Sequence, residues 1–188
     1  RVEEDPRVTG IHAGEAGHDP VGFLRVETVA GPAIAAFTSA QSLGAYDPNA
    51  RPMALSFRRL ALAALVESAG KVIVDPSSRD ILIPRSATSA LAQGDHWLPA
   101  WKDQELRDLL FRQAQDECSS IIDLSVEYAG MGVCRVSLVI DPQAVEEADR
   151  AQLRERVLRT IDVLNSNKRL RAVADDIQWV PRWGTLAG

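Results

Sequence analysis

The sequence predicts an α+β protein that consists of two small domains, each built on a mixed α/β sheet. Short apolar runs typical of strands alternate with longer amphipathic runs typical of helices, and Gly, Pro and Asp separate them. The predicted order is β-β-α-β-β-α in the N-terminal half and α-β-β-α-β in the C-terminal half. A chain of 188 residues is long enough for two such domains.

Composition divides the chain into four segments. A Gly-, Pro- and charge-rich start without any period is typical of a flexible lead-in. Between the two domains, Pro99 lies between Trp97 and Trp101, and this linker is expected to pack onto the domains. The predicted lead-in, first domain, linker and second domain are residues 1–20, 21–95, 96–102 and 103–183.

The first domain opens with a predicted β-hairpin. The runs "VGFLRVET" and "AIAAFTS" are strands, and the turn between them is expected at Val29-Ala30-Gly31-Pro32. Thr38 or Ser39 is expected to cap a short helix in "AQSL". The stretch "GAYDPNARP" then ends that helix.

A longer helix and two short strands complete the first domain. "LSFRRLALAALVESAG" is the clearest helix, with Ser56 as N-cap and Gly70 as the first residue past the C-cap. Apolar residues such as Leu62 and Val66 surround its axis, which predicts a largely buried helix. "KVIVDP" and "RDILIP" are strands, and Ser86 is expected to cap "ATSALAQG".

The second domain begins with the amphipathic helix "DQELRDLLFRQAQDE" and continues with the strands "SIIDLSVEYAG" and "CRVSLVIDP". A long helix, "AVEEADRAQLRERVLRTIDVLNSN", and a final strand, "DIQWVPRW", follow.

Asp75 and Asp141 each come directly after a β-branched run and before a proline. This similarity indicates either a local cap and turn in both places or a weak internal resemblance between the halves.

The first half resembles the N-terminal domain of the SseB family, named after the enhanced serine sensitivity protein. The matching stretches are "LRVETVAGPAIAAFTSAQSL" and "VIVDPSSRDILIP", and the family pattern falls on Phe37, Thr38, Ser39, Asp75 and Pro76. The second half resembles the companion C-terminal domain by layout and position only. The resemblance implies a serine-sensitivity phenotype; sulfur transfer of the rhodanese type and a secretion role are also attached to the name. It brings no catalytic residue.

The usual signatures of catalysis are missing from the sequence. Neither Cys118 nor Cys134 is followed by the Arg-closed anion loop that a sulfurtransferase or a cysteine phosphatase needs, so both are expected to be packing residues. The chain contains no G-x-S-x-G, P-loop or G-x-G-x-x-G motif. Four residues of types that can bind zinc lie close together in the sequence: His12, Glu15, His18 and Asp19. Their spacing is not that of a metal site, so they are expected to bind no metal.

Charge and hydropathy narrow the classes of partner. The net charge is -5, which gives no general attraction to nucleic acid or to an anionic membrane surface. No apolar run approaches a membrane span, and no signal region opens the given sequence, so a cytoplasmic protein is expected.

Four tryptophans either line a groove or fasten the linker and terminus to the core; they are Trp97, Trp101, Trp179 and Trp183. Arginines such as Arg150 and Arg154 alternate with acids on one helix and are expected to form a solvated face.

These observations favour a non-enzymatic interaction or regulatory protein without a cofactor. Its expected partner is an unidentified protein, with a homodimer as one form of that interaction. The alternative is a small-molecule-binding protein or enzyme with a pocket at the domain junction. No catalytic or metal-binding residue is predicted, and the candidate binding residues are Thr38, Ser39, Asp75, Asp141, Trp97 and Trp101.

Overall fold

The computed structural model describes residues 9–12, 22–144 and 150–184. Within these residues the chain forms nine strands and six α-helices, in two compact units, Arg1–Trp97 and Leu98–Gly188. In chain order the elements are β1 (Thr9–His12), β2 (Arg25–Thr28), β3 (Gly31–Ala36), α1 (Ala40–Tyr46), β4 (Arg51–Ala54), α2 (Phe57–Glu67), β5 (Val72–Val74), β6 (Ile81–Ile83), α3 (Arg85–Gln93), α4 (Gln104–Glu117), β7 (Ile121–Tyr128), β8 (Val133–Ile140), α5 (Arg150–Asn165), α6 (Lys168–Val173) and β9 (Asp176–Trp183). The predicted α+β class with two mixed sheets is confirmed.

The first unit is built on a four-stranded sheet in the order β2-β3-β5-β6. The central pair, β3 and β5, is parallel, and each outer strand is antiparallel to its neighbour. A parallel pair needs a long crossover connection. Here α1, β4 and α2 make up that crossover, and β4 pairs with β1 in a separate antiparallel ribbon.

The hairpin between β2 and β3 has a shorter turn than predicted. Thr28 pairs with Gly31, so only Val29 and Ala30 form the turn. The Thr28 hydroxyl donates to the Gly31 carbonyl at 2.7 Å, and Gly31 takes a φ of +96°, which an L side chain rarely adopts. Pro32 lies inside β3, contrary to the prediction, because the parallel ladder with β5 begins only at Ile34.

Helix α2 is amphipathic and is not buried all round. Leu60 and Ala64 pack with Ile34 of β3 in the core of the first unit. In contrast, Leu62 is 50% exposed and Val66 is 86% exposed. The prediction of a largely buried helix was therefore wrong for this face, because α2 packs against the sheet with one stripe only.

The helix ends differ in part from the predicted ones. Ser56 occupies the N-cap of α2 but makes no side-chain capping bond. Gly70 is the second residue past the C-cap and not the first; its N–H donates to the Ala64 carbonyl at 2.9 Å. Ser86 lies inside the first turn of α3 and does not cap it, because the fixed φ of Pro84 already provides the extended N-cap conformation.

Three elements were not predicted from the sequence: β1, β4 and α6. Strand β1 falls within the segment expected to be a flexible lead-in, most of which lies outside the described residues. Strand β4 contains Pro52, which usually argues against a strand but is tolerated here because β4 pairs on one side only. The Asn167 side chain caps α6 by accepting from the amides of Arg169 and Leu170, at 3.0 and 3.1 Å.

The second unit is built on a three-stranded sheet in the order β7-β8-β9. Strands β7 and β8 form an antiparallel pair, whereas β8 and β9 are parallel and are connected through α5 and α6. Leucines of the helices and of the sheet pack together to form the core, among them Leu110 of α4, Leu138 of β8 and Leu164 of α5. No helix within the described residues is long and apolar enough to cross a membrane.

A buried carboxylate joins two helices of the second unit. Asp103 is 6% exposed, and its Oδ1 caps α4 by accepting from the Leu106 amide at 3.0 Å. The guanidinium of Arg169, on α6, contacts both carboxylate oxygens of Asp103 at 2.7–3.1 Å. This bidentate contact fixes the start of α4 against α6.

We expect Asp103→Ala to lower the free energy of unfolding of the second unit by about 1.5–3 kcal/mol. The substitution removes the cap of α4 and leaves the Arg169 guanidinium without its main acceptor. The control is Glu105→Gln, because the 86%-exposed side chain of Glu105 also contacts Arg169, at 3.4 Å. It should change stability by less than about 0.5 kcal/mol. Urea titrations of both variants would contradict the prediction if the two effects were equal.

Candidate functional site

The carboxyl ends of β3 and β5 bring Thr38 and Asp75 together. The Thr38 amide donates to Asp75 Oδ1 at 2.8 Å, and the Thr38 hydroxyl donates to Oδ2 at 2.7 Å. The Asp75 amide donates to the Ala36 carbonyl at 2.8 Å, which extends the parallel ladder by one bond. We call this pair of residues the Thr38–Asp75 clamp. It uses both oxygens of a carboxylate that is only 2% exposed.

The loop that follows β5 folds around the main chain of Asp75. The Asp75 carbonyl accepts from the amides of Ser78, Arg79 and Asp80, at 3.0–3.2 Å. Asp75, Ser77 and Asp80 have positive φ angles of 48°, 64° and 49°, a conformation that few non-glycine residues adopt. The Ser77 amide donates to Asp80 Oδ1 at 2.8 Å, so the loop's own hydrogen bonds offset the strain.

Ser39 begins helix α1, as one of the two predicted caps. Its hydroxyl accepts from the Ser42 amide at 3.0 Å, and its amide donates to the Ser42 hydroxyl at 3.2 Å. This reciprocal pair is a capping box. The cap prediction is therefore confirmed for Ser39, while the Thr38 hydroxyl bonds to Asp75 instead.

The environment of Asp75 holds it in the ionised form. Burial alone would raise the pKa of Asp75, but hydrogen bonds from Thr38 and Ser42 and the charge of Arg79 together lower it below its ordinary 3.8. General acid–base catalysis is most efficient when the pKa of the catalytic group lies near the working pH. The clamp is thus better suited to holding the strand ends than to proton transfer.

The other predicted binding residues take no part in the clamp. Asp141 follows β8 in the second unit, where its Oδ1 accepts from the Gln143 amide at 2.8 Å and caps a short 3₁₀ turn. Trp101 is half-buried in the same unit and packs against Tyr128 with the rings tilted by 43° and their centroids 4.9 Å apart. Trp97 is the half-buried last residue of the first unit. Of the six predicted residues, the structure brings together Thr38, Ser39 and Asp75.

Both cysteines are buried as free thiols. Cys118 is 1% exposed and Cys134 is 0% exposed, and burial raises the pKa of Cys134 to about 11. A nucleophilic cysteine needs a lowered pKa and access to substrate. Cys134 has neither property, and Cys118 lacks the access.

Metal-ligand types do not gather in the part of the chain that the structure describes. No group of three or more His, Cys, Asp or Glu residues there could hold a metal ion. Of the histidine- and acid-rich cluster named in the sequence, His12 lies in β1. Glu15, His18 and Asp19 lie outside the described residues.

A cleft of about 360 Å³ lies at the carboxyl ends of β8 and β9, beside the first turns of α5. We call it the α5–β9 cleft. Its apolar lining comes from both strand ends and from one face of the helix: Ile140, Leu153, Val157, Leu158, Pro181 and Trp183. Arg150 and Arg154 of α5 and Arg182 of β9 also line it.

Trp183 points to the core side of the sheet, but the core does not cover it. Side chains along a strand alternate between the two faces, so Trp179 and Trp183 share one face. Trp179 packs against the core of the unit, whereas Trp183 is 55% exposed. Leu158, across the cleft, is 53% exposed. The cleft is therefore the end of the space between helix α5 and the sheet that none of the described residues fills.

Sequence patterns indicate this cleft only in part. A groove is one of the two interpretations of the four tryptophans, of which Trp183 is one. Arg150 and Arg154 are exposed, as the predicted solvated face requires. The signal that could have found the site is the interleaving of these helical arginines with the apolar residues Leu153 and Val157.

Comparison with known proteins identifies the first part of the chain. Residues 4–90 match the family model described as the SseB protein N-terminal domain. This part of the chain is similar to the SseB N-terminal domain. This confirms the resemblance for the first half, and the matched segment includes the Thr38–Asp75 clamp. The α5–β9 cleft lies beyond the match. No curated protein and no solved structure matches the chain.

We expect Asp75→Asn to lower the free energy of unfolding at neutral pH by about 1 kcal/mol, because hydrogen bonds to a charged acceptor are stronger than those to a neutral one. Asn tolerates the positive φ of this position. The pKa of Asp75 is lowered by folding, so its contribution is full above the unfolded pKa and is lost as the pH falls through the folded pKa.

The stability difference between the wild type and Asp75→Asn should therefore shrink below about pH 4. Urea titrations across this range measure it. Asp95→Asn removes an exposed carboxylate of the same unit and controls for the loss of charge alone. A difference that stays constant down to about pH 2 would contradict the role of the ionised carboxylate.

Both thiols should react slowly with iodoacetamide in the native protein and rapidly once urea unfolds it, because burial keeps them away from the reagent. Mass spectrometry of timed samples measures each site separately. Rapid native modification of Cys118 or Cys134 would instead indicate an accessible, activated thiolate.

Proposed function

We propose that this protein is a non-enzymatic interaction or regulatory protein that binds a protein partner through the α5–β9 cleft. The observation that carries the proposal is the exposure of Trp183 and Leu158 on facing walls of an apolar cleft. Large aromatic side chains in such pockets supply much of the binding energy of protein interfaces.

The chemistry of the reactive residue types supports a binding role over a catalytic one. The Asp75 carboxylate is occupied by Thr38, and Asp141 caps a turn. Both thiols are buried, and Cys134 has a raised pKa, which argues against the sulfur transfer that is attached to the family name.

The proposed partner is a protein, not nucleic acid or a membrane. The net charge of -5 supports this, because a general phosphate-binding surface needs an excess of basic residues. The proposed location is the cytoplasm. A second copy of the chain is one protein that could fill the cleft, and the concentration dependence of the molecular mass would report it.

A pull-down with the full chain from lysate of its native host tests this function. We expect a protein partner to be recovered by the wild type and lost with Trp183→Ala, because that change removes the largest exposed side chain of the cleft. The matched control is Leu62→Ala, which removes a similarly exposed apolar side chain from the other unit. It should retain the partner. Both the proteins and the small molecules in the eluate are identified by mass spectrometry.

Recovery of the same partner by Trp183→Ala would place the binding surface elsewhere. A stoichiometric small molecule in the eluate, without any protein, would favour the alternative of a small-molecule-binding protein.

A further inference from the structure

We propose that the free edge of strand β9 binds an extended segment of the partner protein, which joins the β7-β8-β9 sheet as an additional strand. This inference rests on the proposed docking function and adds the form of the partner. Three observations carry it: the unpaired main chain along β9, the protection of the other sheet edges, and the place of Trp183 on the free edge.

The main chain of β9 alternates between groups that face β8 and groups that face away from the sheet. Strand β9 is parallel to β8 over all eight of its residues in an unbroken register, and it is the last strand of the sheet. The Gly184 amide donates to the Ile140 carbonyl, so the even-numbered residues of β9 bond to β8. The amides of Ile177, Trp179 and Trp183 therefore point outward.

The outward groups of β9 have no hydrogen-bond partner in the part of the chain that the structure describes. Pro181 is the remaining outward residue of the strand. It has no N–H to leave unpaired, which is why a proline is tolerated at this position. Pro181 and Trp183 are exposed, so this end of the edge is open to solvent. An unpaired edge of this kind is a template for a further strand.

The other edges of the two main sheets are short or already occupied. In β7, at the opposite edge of the same sheet, the Leu124 carbonyl accepts from Arg107 Nε at 3.0 Å. The Leu124 amide donates to Asp123 Oδ1 at 2.8 Å. In the first unit, β6 has only three residues, and β2 has four, of which two are charged. These are usual protections of an edge. Strand β9 is longer, and Pro181 alone interrupts its row of outward amides.

The side chains of β9 indicate which residues the added strand carries. Side chains that lie opposite each other in neighbouring strands share one face of the sheet. Ile177 and Trp179 pack against the core, and Trp183 shares their face. Because Trp183 is 55% exposed, an apolar side chain opposite it would cover part of the indole. The other face carries Gln178 and Arg182, so the segment should alternate apolar and polar residues.

A displayed library of random peptides of eight residues, the length of β9, is sorted against the immobilised full chain to test the proposal. We expect enriched peptides to alternate apolar and polar residues and to lack internal proline. One enriched peptide is then synthesised with every second amide N-methylated, in both phases. Methylation of the amides that face β9 should weaken binding at least about tenfold, and methylation in the other phase, the matched control, less than about twofold.

Pro181→Ala supplies the outward amide that the edge lacks. We expect it to bind the same peptide about two- to tenfold more tightly, because one more hydrogen bond can form. The matched control is Pro52→Ala, at an exposed proline in a strand of the other unit, which should change affinity by less than about twofold. Circular dichroism checks that both variants are folded. A folded Pro181→Ala that binds no more tightly than the wild type would contradict pairing along this edge.

Amide hydrogen exchange followed by NMR measures the edge directly. In the free protein the amides of Ile177, Trp179 and Trp183 should exchange faster than those of Gln178 and Arg182, which bond to β8. A saturating concentration of the enriched peptide should slow exchange at the first three.

Each other outcome decides the proposal in a recognisable way. Peptides that are lost with Trp183→Ala but tolerate methylation in both phases would overturn strand addition and leave the docking function standing. Methylation-sensitive peptides that do not need Trp183 would support strand addition and overturn the role of the cleft. Failure to enrich any peptide would overturn both. Outward amides that are protected without peptide, at high protein concentration only, would identify a second copy as the added strand instead.

Discussion

The parallel pairing of two strands in each unit is the constraint on which the rest of the structure depends. Two adjacent parallel strands cannot be joined by a tight turn, so the chain must leave the sheet and cross back over it. In the first unit the crossover between β3 and β5 contains α1 and α2, and in the second unit the crossover between β8 and β9 contains α5 and α6. The helices of each crossover pack on the sheet of their own unit. In each parallel pair the carboxyl ends of the two strands lie side by side.

The two units differ at the carboxyl ends of their parallel strands. In the first unit these ends are occupied by polar groups, because the Asp75 carboxylate accepts both hydrogen bonds that Thr38 can offer. In the second unit the strand ends are apolar and border an open cleft, because the last residues of the two strands, Ile140 and Trp183, line a cleft that the described parts of the helices do not fill. A Cβ at Gly184 would approach Val139 Cγ1 to 2.8 Å, so the chain passes close to β8 as it leaves β9.

Local sequence signals predicted the elements well, and long-range contacts decided the sites. The capping role of Ser39 could be read from its neighbours, because the bond to Ser42 spans three residues. The partner of Asp75 lies 37 residues away, and only the parallel pairing brings it within reach. Trp179 and Trp183 look alike in the sequence. Their difference in exposure depends on how far α5 covers β9, which no local pattern contains.

The exposed apolar surface of the cleft limits the free energy that its side chains alone could contribute to binding. Covering the exposed parts of Trp183 and Leu158 would remove on the order of 200 Å² of apolar surface from water, a gain of about 5 kcal/mol. Association itself costs about 4–15 kcal/mol. Two side chains therefore only offset the lower end of that cost. An ion pair between an exposed arginine and a carboxylate adds only about 0.2–1 kcal/mol. The proposed partner would therefore have to cover more of the second unit than the cleft, because the side chains of the cleft alone do not outweigh the cost of association.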